Sequence, residues 1–336
     1  MVMPTPFADP AFDVTSLTQA LQFLPNNYSR VTDMGLFPER GVATFSFMVE
    51  EQTGRLTLLP TAARGAPGLA HGRDTRKIRY LEIPHIPYNA DIKPEEIIDV
   101  RPFGQETGQS SLPALLAEIL QRMKDNHDAT KEYMRVRALH GEVRDGDGLL
   151  IYNLFAEFEV VQQQWDFNWT NVNFFPRTYA TQIARWYEQN SFGANYSGLL
   201  CFVSAQWWDA MIEHPHIRDF YLYHAEASDK LRNDQRPSFS FGGLTFTEYT
   251  GQFQSRDGTI RKLIADNEGI IFPVGSNFME TVNAPADFNE AHGTSGLPYY
   301  AKTRVKDFER GYEIHTQSNP LPIVYRPALL GKIVMS

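Results

Sequence analysis

SLPALLAEILQRMKDNHDATKEYMRVRALH, residues 111–140, is the stretch from which the architecture can be read. Leu112, Leu116, Ile119, Met123, Thr130, Met134 and Ala138 keep largely to a spacing of three or four, which marks one face of an α-helix. Ser110 or Ser111 can cap it, and Pro113 suits a first turn, where its missing N–H costs nothing. Glu118 and Arg122 stand four apart in the favourable order. A helix over 111–140 at ~1.5 Å per residue is a rod of roughly 45 Å. That exceeds the usual globular helix, so it reads as a spine running across the molecule. Asp145-Gly146-Asp147-Gly148 then makes a tight turn between Leu139–Arg144 and Leu149–Phe155, a hairpin signal.

Upstream of the spine the period changes to two. Val42, Thr44, Ser46 and Met48 alternate with Ala43, Phe45, Phe47 and Val49. Glu51-Gln52-Thr53-Gly54 provides a turn, Arg55–Pro60 a returning strand, and Arg76–Ile83 a third strand after the aperiodic Thr61–Gly72. This excursion, 36–86, is too thin to bury a core of its own and needs cover from elsewhere. Residues 1–35, with Pro4, Pro6, Pro10, Pro25 and one short helical candidate at Thr15–Phe23, read as a frayed terminus or as an arm that orders against a partner, and the apolar Phe7, Phe12, Leu17, Leu21, Phe23 and Leu24 favour the arm.

Downstream the chain is mixed. Thr178–Asn190, Ala205–Glu213 and His224–Arg232 look helical, while Leu199–Val203, Ser238–Phe246 and Glu248–Gln254 look extended. From Pro273 to Pro298 the sequence reads as irregular. The end, Ile314–Val334, reads as extended, with Pro320, Pro322 and Pro327 limiting it to edge-like strands.

Net charge is −9, which argues against a dedicated nucleic-acid binder. The charge is uneven, because residues 41–80 carry six cations, Arg55, Arg64, Arg73, Arg76, Lys77 and Arg79, against Glu50, Glu51 and Asp74. A basic strip on an acidic molecule suits docking on an acidic surface of an identical neighbour; the plainer reading is a solvated loop. Aromatic residues at 13% are abundant enough to serve interfaces as well as a core. Cys201 is the sole cysteine and lies in an apolar run, so it reads as a buried hydrophobe in a reducing compartment. No basic start followed by an apolar run and no run of 18 apolar residues occurs, so neither secretion nor membrane spanning is expected.

Local signatures of chemistry are missing. There is no dinucleotide or phosphate-binding glycine loop, no Gly-x-Ser-x-Gly elbow and no Cys-x-x-Cys. His214-Pro215-His216 with His224 is a weak metal signal, and Asp145 with Asp147 fits a turn better than calcium. No catalytic residue, cofactor or metal is expected.

Several segments together carry a resemblance: Ile86–Asp99 with Val100-Arg101-Pro102-Phe103-Gly104, Lys131–Val143, Asn267–Gly275, Thr281–Asp287, and the closing Gln317-Ser318-Asn319-Pro320-Leu321-Pro322-Ile323-Val324-Tyr325-Arg326-Pro327. From about residue 30 onward the chain resembles the lambda-type major capsid family of tailed bacteriophages, of the Hong Kong 97-type capsid fold. The resemblance implies an α+β chain with an N-terminal arm (1–35), an extended loop (36–86) and a peripheral domain (87–165) holding the spine helix 111–140. An axial domain (166–270) and a return to the peripheral domain with C-terminal strands (271–336) complete it. It implies hexamers and pentamers of an icosahedral head shell around double-stranded DNA, without sequence-specific binding. It also implies a virion assembled in the host cytoplasm with a scaffold, a portal complex and a decoration or cement protein. The extended-loop cations Arg55, Arg64, Arg73, Arg76, Lys77 and Arg79 would then contact the neighbouring subunit. Some members of the fold crosslink through an extended-loop lysine; residues 41–76 contain none, and arginine cannot be that nucleophile. An encapsulin-type compartment shell and a soluble α/β enzyme are the competing readings.

Overall fold

The computed structural model describes residues 30–52, 76–93, 112–191, 195–218 and 238–336. The expected helices at Thr15–Phe23 and His224–Arg232 and the strand at Arg55–Pro60 lie outside these residues. The chain forms two compact units.

The first unit takes Met1–Phe47, Glu82–Val136 and Met279–Ile323. Among its described residues are the short helix α1 (Arg30–Asp33) and strand β1 (Glu39–Gly41). The long helix α2 (Leu112–Leu139) belongs to this unit as far as Val136. β1 runs parallel to β14 (Met279–Asn283), which also pairs with β17 (Pro320–Val324). A second sheet is antiparallel throughout, in the order β15 (Tyr300–Val305), β16 (Tyr312–Ser318), β4 (Ile86–Ile92). The apolar stripe of α2 works as its spacing dictates at the start of the helix. Leu116, Leu120 and Met123 pack on Ile92, Tyr299, Ala301 and Ile314 of this sheet.

The second unit takes Met48–Leu81, Arg137–Phe278 and Val324–Ser336. β2 (Ser46–Gln52) pairs with β3 (Arg76–Glu82). β5 (Glu142–Arg144) and β6 (Leu150–Asn153) form the hairpin expected around the Asp-Gly turn, followed by the single turn α3 (Leu154–Glu157). The main sheet has six strands in the order β7 (Gln163–Phe167), β18 (Gly331–Met335), β13 (Glu268–Val274), β8 (Gly198–Val203), β10 (Leu244–Glu248), β9 (Ser238–Phe241). Helices α4 (Pro176–Asn190) and α5 (Ala205–Glu213) pack on it, and β11 (Gln252–Gln254) pairs with β12 (Ile260–Lys262). Ser204 caps α5, its Oγ accepting from the Trp207 N–H at 3.4 Å. β8, α5 and the parallel strand β10 make a crossover unit. Phe167 sits at the centre of this core, with the rings of Trp169, Phe174, Tyr179, Trp207 and Phe246 all within 6.1 Å of it.

Four expectations are corrected. Ser238–Phe246 is two strands, because Gly242 and Gly243 both take positive φ and close a two-residue hairpin. Glu51 and Gln52 continue β2 instead of turning, and among the described residues β2 pairs with β3. The irregular stretch after Pro273 contains β14, whose burial comes from its neighbours β1 and β17. Proline confines only β17 to an edge; β16 and β18, which lack it, are internal strands. Pro273 itself is tolerated inside β13 because β18 pairs only as far as Ile271.

Replacing the fully buried Phe167 with alanine removes the ring on which five aromatic neighbours rest. Phe167→Ala is expected to lower unfolding free energy by about 3–5 kcal/mol, read from urea denaturation of the unassembled protein.

Candidate assembly surface

Among the described residues, no group of three or more His, Cys, Asp or Glu is placed to hold a metal ion. His214 is buried against Trp169 and Phe174, with Nε2 at 3.2 Å from the Asn171 carbonyl oxygen. His216 instead stacks on Phe175. Asp145 Oδ1 accepts from the Leu149 N–H at 2.8 Å, which is turn chemistry. Cys201 is buried, and burial pushes its thiol far above the ordinary value.

Of the loop cations, Arg55, Arg64 and Arg73 lie outside the described residues, and Arg76 opens β3. Lys77 and Arg79 contact their own chain. Lys77 Nζ pairs with Glu159 at 2.7 Å; the Arg79 Nε donates to the Glu157 carbonyl, and its guanidinium lies 5.0 Å from the Phe158 ring. The pair β2–β3 is therefore moored along one strand to the turn 157–159. Its two faces differ. Val49 and Leu81 are buried, whereas Met48, Ile78 and Tyr80 are 45%, 51% and 71% exposed. On β3 the exposed Ile78 and Tyr80 share a face by strand alternation. An apolar strand face in water is a surface that a partner would cover.

The second feature was not visible as a site in the sequence. Lys124, His127, Asp128, Lys131, Glu132 and Arg135 of α2 are all buried. Their partners lie within the first unit, while Lys131 Nζ and Asp128 Oδ2 are left without a hydrogen bond among the described residues. Glu132 accepts from the backbone N–H of Val31 at 2.7 Å and of Thr32 at 3.2 Å, so a buried carboxylate caps the start of α1. Arg135 donates to Glu39 Oε1 at 2.5 Å, to Thr281 Oγ1 at 3.1 Å and to Thr32 Oγ1 at 2.6 Å. Lys131 Nζ stands 3.8 Å from Glu39 and 3.6 Å from the centre of the Tyr299 ring. The Tyr299 hydroxyl donates to Asp128, and His127 sits between Thr316 Oγ1 and Ser318 Oγ. Burial pulls the Lys131 ammonium down to about 8 and the His127 imidazole down to about 3. Burial alone would raise Glu39, but the charges of Lys131 and Arg135 outweigh it and hold the carboxyl below its ordinary value. The available signal was spacing: Lys124, Asp128, Lys131 and Arg135 recur at four, three and four, the period of a packed face.

The family model described as phage major capsid protein E matches residues 13–335. The chain is similar to the major capsid protein of Pseudomonas phage KPP10, 26% identical with 98% of both chains covered. It is also similar to that of Salmonella phage Felix O1, 24% identical with 95% of both covered. Among solved structures it is similar in fold to the capsid of Ralstonia phage GP4, with a TM-score of 0.53, 11% identity, and 99% of this chain and 97% of that one covered. The mature capsid of bacteriophage PhiM1 gives a TM-score of 0.51 at 8% identity, covering 94% and 88%.

Lys131 is a buried cation whose charge its surroundings disfavour. Its folded value near 8 lies below the ordinary 10.5, so the unfolded chain binds more protons between them and stability rises with pH across that window. Lys131→Met removes the titration, so the stability of wild type relative to this variant is expected to climb from about pH 8 to about pH 10 in paired urea titrations. A constant difference would show that the ammonium is not desolvated.

Proposed function

The chain belongs to the phage major capsid protein E family, and from that premise we propose how its surfaces build a phage head. Its role is structural, and its place is the virion. Copies of the chain gather into hexamers and pentamers of an icosahedral shell that encloses double-stranded DNA. The first compact unit holds most of the peripheral domain, 87–165 with the return 271–336, and the second holds the axial domain, 166–270. The pair β2–β3 is the stem of the extended loop. Its exposed face, Met48, Ile78 and Tyr80, lies over the adjacent subunit, and Arg55, Arg64, Arg73 and Arg76 supply cations to the same contact.

The observation that carries this reading is the asymmetry of that strand pair. One face is packed and the other apolar in water, which a chain acting alone would not benefit from keeping. Shell strength comes from buried area, and from a separate decoration protein, because residues 41–76 hold no lysine for an isopeptide link. The net charge of −9 suits a container that must not hold its cargo tightly, so DNA is enclosed without sequence-specific contact. Assembly in the host cytoplasm would involve a scaffold and a portal complex.

Negative-stain electron microscopy of the expressed protein is expected to show capsomers or closed shells. Shells boiled in SDS are expected to run as one monomer band, whereas a covalent ladder would refute the uncrosslinked shell. The double change Ile78→Ser, Tyr80→Ser should leave the subunit folded, by circular dichroism, and shift it from shells to free protein. Undiminished assembly of that variant would remove the loop face from the contact.

A further inference from the structure

The buried polar face of α2 is satisfied unevenly. His127 has a hydroxyl at each ring nitrogen, Thr316 Oγ1 at 3.1 Å and Ser318 Oγ at 2.9 Å. Arg135 donates to three oxygens, those of Glu39, Thr281 and Thr32. The helical turn between them differs. Lys131 Nζ and Asp128 Oδ2 are both buried, and among the described residues neither has a hydrogen-bond partner. Three residues apart, they share one side of the helix. Tyr299 holds them on two parts of one ring. Lys131 Nζ lies 3.6 Å from its centre, while its hydroxyl donates to Asp128 Oδ1. Glu39 Oε1 stands 3.8 Å from Lys131 Nζ, too far for a hydrogen bond, and already accepts from Arg135. Asn283 Nδ2 donates to Glu39 Oε2 at 3.1 Å, and Asn283 Oδ1 is a third buried atom without a donor among the described residues.

We infer that the space between Lys131 Nζ and Asp128 Oδ2 is a binding site for an ordered water molecule, which accepts from the ammonium and donates to the carboxylate. The inference concerns the interior of the subunit and does not depend on the shell reading. An ammonium has three protons to place and a carboxylate four lone-pair positions, and buried polar groups in native proteins are almost always bonded. Burial pulls the Lys131 ammonium down and pushes the Asp128 carboxyl up, which is what two ionised groups short of solvation do. Direct pairing would lift Lys131 off the ring face or take Asp128 from the hydroxyl; a bridging molecule keeps both contacts. The charges choose the occupant. Lys124, Lys131 and Arg135 are matched in number by Glu39, Asp128 and Glu132, so an added cation or anion would leave a buried charge unbalanced. A neutral molecule that both donates and accepts fits, and water does so in the least space. Its second proton can go to Asn283 Oδ1, directly or through a further water.

The test is a map of the full chain, from crystals of the subunit or a reconstruction of particles, at a resolution that shows ordered water. The expected result is a peak within hydrogen-bonding distance of both Lys131 Nζ and Asp128 Oδ2. Lys131→Met, whose thioether has no proton to donate, is expected to lose that peak. Asp128→Leu, which removes the acceptor instead, replaces Lys131→Met if that variant does not fold. Direct contact of Lys131 Nζ with Asp128 Oδ2, an unfilled gap, or a side chain of the protein in the gap overturns the inference. So does a peak that persists unchanged when either partner is removed. A peak with the anomalous signal of chloride, or with the many short oxygen contacts of a metal ion, overturns the neutral occupant.

Discussion

Arg135 and Lys131, both buried, converge on Glu39, whose side chain keeps 29% of its surface in water. Two buried cations are stable only when they are answered, because a lone buried charge costs several kcal/mol. The rest of the first unit is arranged around that requirement. β1 delivers Glu39, β14 delivers Thr281 and Asn283, and α1 presents its first N–H groups to Glu132. The polar face thus fixes the register of the spine against three separate chain segments. An apolar face of equal area would bind them as strongly with less discrimination.

The legible and illegible parts of the sequence divide along this line. The spine's existence followed from periodicity, and the observed Leu112–Leu139 stops one residue before the end of the expected 111–140, whose first residue lies outside those described. Ala205–Glu213 was read to the residue because Ser204 caps it locally. What could not be read depends on partners distant in sequence. β14 has no strong pattern of its own, and its burial is conferred by β1, more than two hundred residues upstream. The buried ions of α2 look like a solvated face until the segments that answer them are in place. Of the candidate surface, the stem strands were legible from alternation. That Lys77 and Arg79 also contact their own chain was not, because Glu157, Phe158 and Glu159 gave no local sign of receiving them.

The two units use different physics for the same end. In the second, Phe167 and its aromatic neighbours build a dry core whose precision is geometric, with rings set edge to face. In the first, precision comes from ions and hydrogen bonds. A shell subunit has to present its surfaces reproducibly many times over, and both devices penalise small displacements sharply. The moored strand pair illustrates the result, since its exposed face is held in a fixed pose by contacts on the other side.

The buried histidines have a consequence for where the particle can survive. His127 in the first unit and His140 in the second, the latter held by the Leu263 carbonyl, are both kept neutral to about pH 3 by burial. In the unfolded chain each takes a proton near pH 6.5, so acid favours unfolding progressively below that point in both units. A virion carried into acidic surroundings would meet that range. Its container is built for near-neutral media, and sourness is a hazard written into its interior.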